Sequence, residues 1–320
     1  MLCKNPSSPI IKLYGYMTLI SQPIIFGASG FIGQHLIREV GTDKCQPVSR
    51  KDQHNKSWMI ADLLNPCSLE NVLRDRKTVI NLSFSPQASP NDNLKMAENL
   101  VKACYDSNIT RLVHCSTAIV VGNNPALYLN ETTPCYPKTA YEQTKYAIEK
   151  IFLAAATKQL KICILRPTGV VGSGGQNLKK MFLDIRHGNA VINFVRSSLY
   201  GARRLNLVPV EDVVKALLHL CAETITSGIY ICSADNDPDN RYDRVEVLMR
   251  QFLKKHARIK PVHLPLFCLN MLLRLHRPGG SHFASRYYSS DHLNSTGFQR
   301  SITIAQAIQS FVLSELAHDG

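Results

Sequence analysis

Tyr141 and Lys145 stand four residues apart in PKTAYEQTKYAIEKIFLAAATKQL, residues 137–160. In a helix, positions i and i+4 share a face, so this spacing presents a phenol and an ammonium to one point. A phenol can give or take a proton once its pKa is drawn from about 10 toward neutrality. A neighbouring cation favours the phenolate and pulls in that direction. The pair therefore reads as an acid/base and the charge that tunes it.

A second chemical signal lies near the start, in PIIFGASGFIGQHLI (residues 23–37). Gly27, Gly30 and Gly33 fall at an expected strand-to-helix turn. Glycine lets the backbone turn tightly and lets a pyrophosphate approach a helix N-terminus, where unpaired N–H groups and the helix dipole favour negative charge. The spacing is GxxGxxG, and its strand-turn-helix setting points to a dinucleotide. The next strand, QPVS (46–49), runs into Arg50 and Lys51, with no carboxylate until Asp52. An acidic residue at this place suits the ribose 2′-hydroxyl of NAD, whereas a guanidinium suits a 2′-phosphate. NADP is the expected cofactor, with NAD as the alternative.

Alternating short apolar runs and longer amphipathic ones position these groups. Strands are expected at 23–28, 46–49, 57–60, 78–84, 110–116 and 161–167, with helices at 31–40, 66–75, 93–107 and 138–157. That alternation implies parallel strands joined by crossover helices, hence an α/β doubly wound parallel sheet. A helix over 210–223 and a strand over 228–233 follow. Segments 168–204 and 236–320 carry weaker patterns, and PLFCLNMLLRL (265–275) is apolar on most faces, as a buried helix would be. Met17 stands just ahead of the first strand, so residues 1–20 read as an N-terminal extension.

The 320 residues are 45% hydrophobic and 19% charged, as expected of a soluble globular chain. Lys and Arg total 37 against 24 acidic residues, for a net charge of +13, which favours an anionic partner. The basic residues are scattered rather than gathered in a tract, which argues against nucleic acid. No apolar run reaches the roughly 20 residues of a membrane span. The ten cysteines form no CxxC pair and read as reduced thiols packed as small hydrophobes, with no metal site. A cytoplasmic location follows from that reading.

Taken in order, the motifs resemble the extended short-chain dehydrogenase/reductases, the NAD-dependent epimerase/dehydratase family, from about residue 22 to residue 310. The matching landmarks are GxxGxxG, ADLLNPCSLENVL (61–73), VINLSFSP (79–86), LVHCSTAIVVG (112–122), YEQTK (141–145), LRPTGVVG (165–172), LVPVEDVVKAL (207–217) and LNSTGFQRSITIAQAI (293–308). The resemblance implies a Rossmann domain over 21–167, with 205–234 returning to it, and a substrate-binding lobe from 168–204 and 235–320. It implies that Gly27, Ser29, Gly30, Phe31, Ile32, Gly33, Arg50, Asp62, Leu63, Leu82, Lys145 and Pro167 hold the cofactor. Tyr141 is then the acid/base, Lys145 its tuning charge and ribose contact, and Thr117, beside Ser116, the hydroxyl that holds the substrate oxygen. Asn93 falls where the family has an Asn that buttresses the active-site helix. Family members often pair as homodimers through the YxxxK helix, and the apolar face of 146–156 suits that.

Several positions depart from the sugar-nucleotide branch. Val121 replaces a Tyr, Gly169 an Asn, Leu205 the phosphate-clamping Arg, and Pro209 a His; Arg203 and Arg204 lie close to the missing clamp. Ala118 stands where sugar dehydratases carry an acid, which argues against 4,6-dehydration. The expected reaction is reduction or epimerisation at the keto group of a nucleotide-activated sugar, as in making polysaccharide precursors. The alternatives are a reductase or dehydrogenase of an apolar, sterol-like or phenolic substrate, and an NADP-sensing regulator without catalysis.

Overall fold

A computed structural model describes residues 22–53, 57–188, 190–201, 203–255 and 286–318. The expected extension over 1–20 and the apolar run 265–275 lie outside the described residues. The chain runs β1 (Ile24–Phe26), α1 (Phe31–Val40), β2 (Gln46–Ser49), β3 (Met59–Ile60), α2 (Cys67–Leu73), β4 (Thr78–Asn81), α3 (Pro90–Asp106) and β5 (Arg111–Cys115). It continues through a 3₁₀ turn at Ala118–Val121, β6 (Tyr128–Leu129), α4 (Ala140–Ala154), β7 (Lys161–Pro167), β8 (Gly169–Val171), α5 (Lys179–His187), α6 (Ala190–Tyr200) and β9 (Leu207–Pro209). Then follow α7 (Val210–His219), β10 (Gly228–Cys232), α8 (Tyr242–Phe252), β11 (Tyr287–Tyr288), α9 (Asp291–Ser295) and α10 (Ile304–His318).

Seven strands form a parallel sheet in the order β10-β7-β5-β4-β1-β2-β3. Every residue of β1, β4 and β5 is buried, as near-continuous apolar strands covered on both faces require. Strand order reverses at β1, which pairs in parallel with β2 on one side and β4 on the other. Ligands of doubly wound sheets bind at the carboxyl ends of strands at such a reversal.

The chain divides into two compact units, one comprising residues up to 114 with 150–163 and 217–228, the other 115–149, 164–216 and 229 onward. In the first, Ile24, Ile25, Ile80 and Leu100 are fully buried. Buried Arg111 donates to the carbonyls of Leu220, Glu223 and Ile225, satisfying acceptors just past the end of α7. In the second, Phe182 of α5 meets Phe311 of α10 edge-on, with Val245 and Met249 of α8 in the same cluster. Two small parallel sheets, β8–β9 and β6–β11, also belong to that unit.

The expected elements are present with shifted ends, and the shifts have local causes. The first strand stops at Phe26 because Gly27 takes a left-handed backbone, φ 76°. Helix α3 starts at Pro90, three residues before the expected 93, because Ser89 and Asp92 form a reciprocal capping box with Pro90 at the first helical position. Helix α7 stops at His219, earlier than the expected 223. The weakly patterned 168–204 contains β8, α5 and α6. Among the described residues no helix is long and apolar enough to cross a membrane, and no cluster could hold a metal ion. Six described cysteines are buried as expected, whereas Cys67, at the start of α2, is exposed, and Cys135 is partly so.

Candidate active site

The glycine turn in the first unit is built for close backbone approach. A Cβ on Gly27 would stand 2.8 Å from the Leu82 carbonyl carbon, and one on Gly33 only 2.5 Å from the Ala28 carbonyl oxygen. Gly30 caps α1 without a side chain, and no acidic residue sits in that helix's first turn. The helix N-terminus therefore keeps its positive end available for an anion. A cleft of about 230 Å³ opens beside this turn, at the carboxyl ends of β1, β2 and β4. These features fit a dinucleotide.

Of the expected cofactor residues, Gly27, Ser29, Gly30, Arg50, Leu63 and Leu82 line the cleft. Phe31, Ile32, Gly33 and Asp62 do not. Gly33 acts through packing, since only a glycine lets α1 lie so close to the Ala28 carbonyl. The Asp62 carboxylate accepts the Leu64 N–H at 2.9 Å, while its backbone N–H donates to Ser68 Oγ at 3.0 Å. That residue thus shapes its own turn. Lys145 and Pro167 belong to the second unit. Arg50 is exposed, and among the residues lining the cleft it is the only charged one; no carboxylate lines it.

Sequence reasoning did not single out Ser49, Phe84, Ser85 or Met96, which also line the cleft. The serine- and proline-rich stretch after β4, SFSPQASP, was the available signal, because such composition marks a loop at a strand end. Asn93 secures that loop. Its amide donates to the Ser85 and Ser89 carbonyls and its oxygen accepts the Ser85 N–H, at 3.0 to 3.1 Å.

The tyrosine and lysine lie in the second unit, and local sequence sets their helix. Thr139 and Glu142 form a capping box, with Thr139 Oγ1 accepting the Glu142 N–H at 3.2 Å and the Glu142 carboxylate accepting the Thr139 N–H at 3.4 Å. The same carboxylate accepts the Lys138 N–H and the Asn123 amide. Helix α4 thus begins one residue before Tyr141 and places it in the first turn. The Tyr141 ring is 45% exposed, whereas Lys145 is 4% exposed. One end of the pair can meet a substrate while the other is shielded from water.

Thr117 leaves β5 with extended backbone and caps the 3₁₀ turn, its hydroxyl accepting the Ile119 N–H at 3.3 Å. The same hydroxyl is hydrogen-bonded to the Tyr141 phenol. Ser116 is buried: its N–H donates to the Leu165 carbonyl at 2.7 Å, and its hydroxyl has no hydrogen-bond partner among the described residues. Thr117 and Tyr141 come together.

Lys145 donates to the Cys115 carbonyl at 2.9 Å. Burial pushes the ammonium's pKa down, opposed by the Cys115 thiol and by Glu149 one turn further along α4. Burial and the Cys115 thiol also push the Tyr141 phenol upward, against the Thr117 hydrogen bond that lowers it. The fall toward neutrality that acid/base work at neutral pH requires is therefore not present in the protein chain by itself. Lys145 directs its ammonium at a carbonyl of β5, and desolvation of the ring dominates.

Near the expected substrate end, Leu205 stands in place of an arginine. Arg204 lies with its guanidinium 5.3 Å from the Tyr287 ring centroid. Arg203 is pushed down in pKa first by burial and also by the positive charge of Arg286.

A family model described as "NAD dependent epimerase/dehydratase family" matches residues 24–232. Among curated proteins, the chain is 27% identical over 190 residues to a decarboxylating sterol-4-alpha-carboxylate 3-dehydrogenase of Saccharomyces cerevisiae, covering 51% of this chain and 54% of that one. It is 28% identical over 172 residues to a UDP-glucose 4-epimerase of Lactobacillus helveticus, covering 47% and 52%. The chain thus spans about half the length of these two relatives. Among solved structures, the dTDP-glucose 4,6-dehydratase of Bacillus anthracis, determined with NAD, superimposes with a TM-score of 0.70 at 19% identity, covering 93% of this chain and 97% of that one. That likeness shows a shared fold.

Proposed function

The chain belongs to the NAD dependent epimerase/dehydratase family, and from that premise we propose that it is an NAD(P)-dependent oxidoreductase acting on a secondary alcohol or ketone. When bound, the nicotinamide supplies the hydride donor or acceptor. Gly27, Ser29, Gly30, Arg50, Leu63 and Leu82 hold the dinucleotide, with Gly33 keeping α1 close enough to present its N-terminus. Arg50, the only charge lining a cleft without carboxylates, favours the 2′-phosphate of NADP.

The observation that carries the catalytic reading is the hydrogen bond between the Tyr141 phenol and the Thr117 hydroxyl, with the buried Lys145 one turn along the same helix. Tyr141 donates a proton to the substrate oxygen in reduction and removes it in oxidation. Thr117 donates to the same oxygen and fixes its position. Lys145 supplies the positive charge that stabilises the phenolate.

For the substrate we favour a nucleotide-activated keto-sugar, reduced or epimerised at its keto carbon. The positive charge of Arg286 acting on the partly buried Arg203 supports this, because two neighbouring cations suit a doubly charged diphosphate. The lobe formed by 168–204 and 235–320 is the expected place for it. The second reading, an apolar sterol-like alcohol or ketone, draws on the name of the yeast relative and on Leu205 at the clamp position. The discriminating experiment follows NADPH and NADH oxidation with a panel of 4-keto nucleotide-sugars and a panel of apolar 3-keto sterols, using the native protein and Tyr141→Phe. Turnover of the first panel that collapses in the variant supports the sugar reading, and turnover confined to the second replaces it with the sterol reading. If neither panel is turned over, the oxidoreductase reading for these substrates is lost.

A further inference from the structure

Behind the tyrosine and lysine lies a third charged group that the catalytic reading does not use. Tyr141, Lys145 and Glu149 occupy positions i, i+4 and i+8 of α4 and so share one helix face. The Glu149 carboxylate grips Arg166 of β7 with two bonds, Nε to Oε1 at 3.0 Å and Nη2 to Oε2 at 2.6 Å. Lys145, Glu149 and Arg166 are 4%, 0% and 1% exposed, respectively. A buried ion pair adds little net stability, because removing two ions from water costs about as much as their attraction returns. Apolar residues of similar volume would serve the fold as well, so the pair calls for another reason.

The charge balance suggests one. Two buried cations and one buried anion leave the row one charge positive, and the Arg166 Nη1 has no hydrogen-bond partner among the described residues. An anion at the open end of the row would neutralise it, and the group at that end is the Tyr141 phenol. We propose that the Glu149–Arg166 pair is a positioning unit for the active site, with Glu149 holding Lys145 in its charged form so that the buried row favours the Tyr141 phenolate. The inference rests on the proposed roles of Tyr141 and Lys145.

The surrounding groups permit this assignment. Lys145 faces the Cys115 carbonyl and thiol from β5 and Glu149 from its own helix. Burial works against its charge, and Glu149 is the carboxylate that opposes burial. Glu149 in turn faces Arg166, with Tyr146 nearby, and Arg166 also reaches the Cys135 sulfur at 3.4 Å. Burial holds the Cys115 thiol's pKa up at about 11, so at neutral pH it is protonated and supplies no counter-charge. Among these neighbours the anion available to Lys145 is Glu149.

The test titrates Lys145 directly, by the NMR shift of its 13Cε in lysine-labelled protein, assigned by its absence in Lys145→Arg. Four forms are compared: native, Glu149→Gln, Glu149→Asp, and the double variant Glu149→Gln/Arg166→Met, which removes both buried charges. The expected result is a Lys145 midpoint at least about one pH unit lower in Glu149→Gln, a tenfold loss of proton affinity, and lower by a smaller margin in the double variant, where loss of the Arg166 charge partly offsets it, with Glu149→Asp restoring most of it. The alkaline limb of the rate profile should move down with it. A Lys145 midpoint that stays within about 0.3 unit of native in either folded variant overturns the proposal. If the single variant does not fold, the double variant, which leaves neither member of the Glu149–Arg166 pair charged without its partner, decides the question. The titration needs no turnover: a native protein inactive on every substrate sinks the oxidoreductase reading, while a failed midpoint shift sinks this one.

Discussion

Replacing Gly33 by alanine separates the cofactor role of the glycine turn from simple backbone permissiveness. A Cβ there would meet the Ala28 and Gly27 carbonyl oxygens at 2.5 and 2.6 Å and the Ala28 carbonyl carbon at 2.7 Å, all backbone atoms. Ordinary carbon–oxygen contacts begin near 3.3 Å, so α1 and the turn must separate by about 0.8 Å. Overpacking of this kind costs roughly 1–3 kcal/mol. Alanine's better helix propensity returns at most about 1 kcal/mol, since Gly33 lies inside α1 with ordinary helical φ. The clash outweighs that gain, leaving a net loss of up to about 2 kcal/mol. Because the shift falls on the turn that presents the N-terminus of α1, NADPH affinity should fall at least about tenfold, or 1.4 kcal/mol.

The assay pairs a urea midpoint with NADPH titration by fluorescence, using Gly174→Ala as the control. Gly174, unlike Gly33, has a positive φ, 81°, and nothing stands within 4 Å of its would-be Cβ. That variant should lose about 1 kcal/mol from the left-handed backbone alone and keep native cofactor affinity. Native stability together with native NADPH affinity in Gly33→Ala would refute the reasoning, since the contacts would then have relaxed without moving the turn.

Tyr141→Phe should lower turnover by about 10²–10⁴ while leaving the urea midpoint nearly native, because the ring is half-exposed; a rate within tenfold of native removes Tyr141 from the chemistry. Arg50→Glu should weaken NADPH by about ten- to a hundredfold, the worth of a charge-assisted hydrogen bond, and NADH much less, as read by the same fluorescence titration; equal losses would show that Arg50 does not read the 2′-phosphate. Burial pushes the Asp235 carboxyl up to about 6, against bonds from the Tyr288 N–H and the Asn206 amide. A folded-state pKa above the unfolded one means that the folded protein binds the extra proton, so this contribution to stability is present below about pH 4 and is lost as pH rises through about 6. Urea midpoints across pH 4–6.5 should reveal that fall, and Asp235→Asn should flatten it; an equally steep native and variant profile would assign the fall to other groups.

The doubly wound sheet was legible because its signals are local and redundant. Apolar runs such as TVIN alternate with amphipathic stretches, and helices packed on both faces of a parallel sheet bury strands that are apolar on both faces. The glycine turn was legible for a similar reason: three glycines between a strand and a helix serve both tight turning and close approach, as Gly27 and Gly33 do. The α4 start was also written locally, in Thr139 and Glu142, and α3's in Ser89 and Asp92, although the latter signal was passed over. The long segments 168–204 and 236–320 resisted because their helices bury against each other: Phe182, Met249 and Phe311 share one core cluster although more than 60 residues separate each from the next.

What the sequence by itself determined about this protein is the set of elements and the chemical character of the groups they carry, since helix spacing, capping and strand periodicity act within a few residues. It thereby set Tyr141 and Lys145 on one helix face and Gly27 at a strand end. Only the tertiary structure decided how each group is solvated. It left the Tyr141 ring half-exposed, shut Lys145 and Ser116 away from water, turned Asp62 back on its own loop, and brought Arg166, 17 residues further along, onto Glu149. The reason is that burial and charge pairing depend on what packs across the space around a group. That environment, more than residue type, sets whether a phenol or an ammonium can hold its charge.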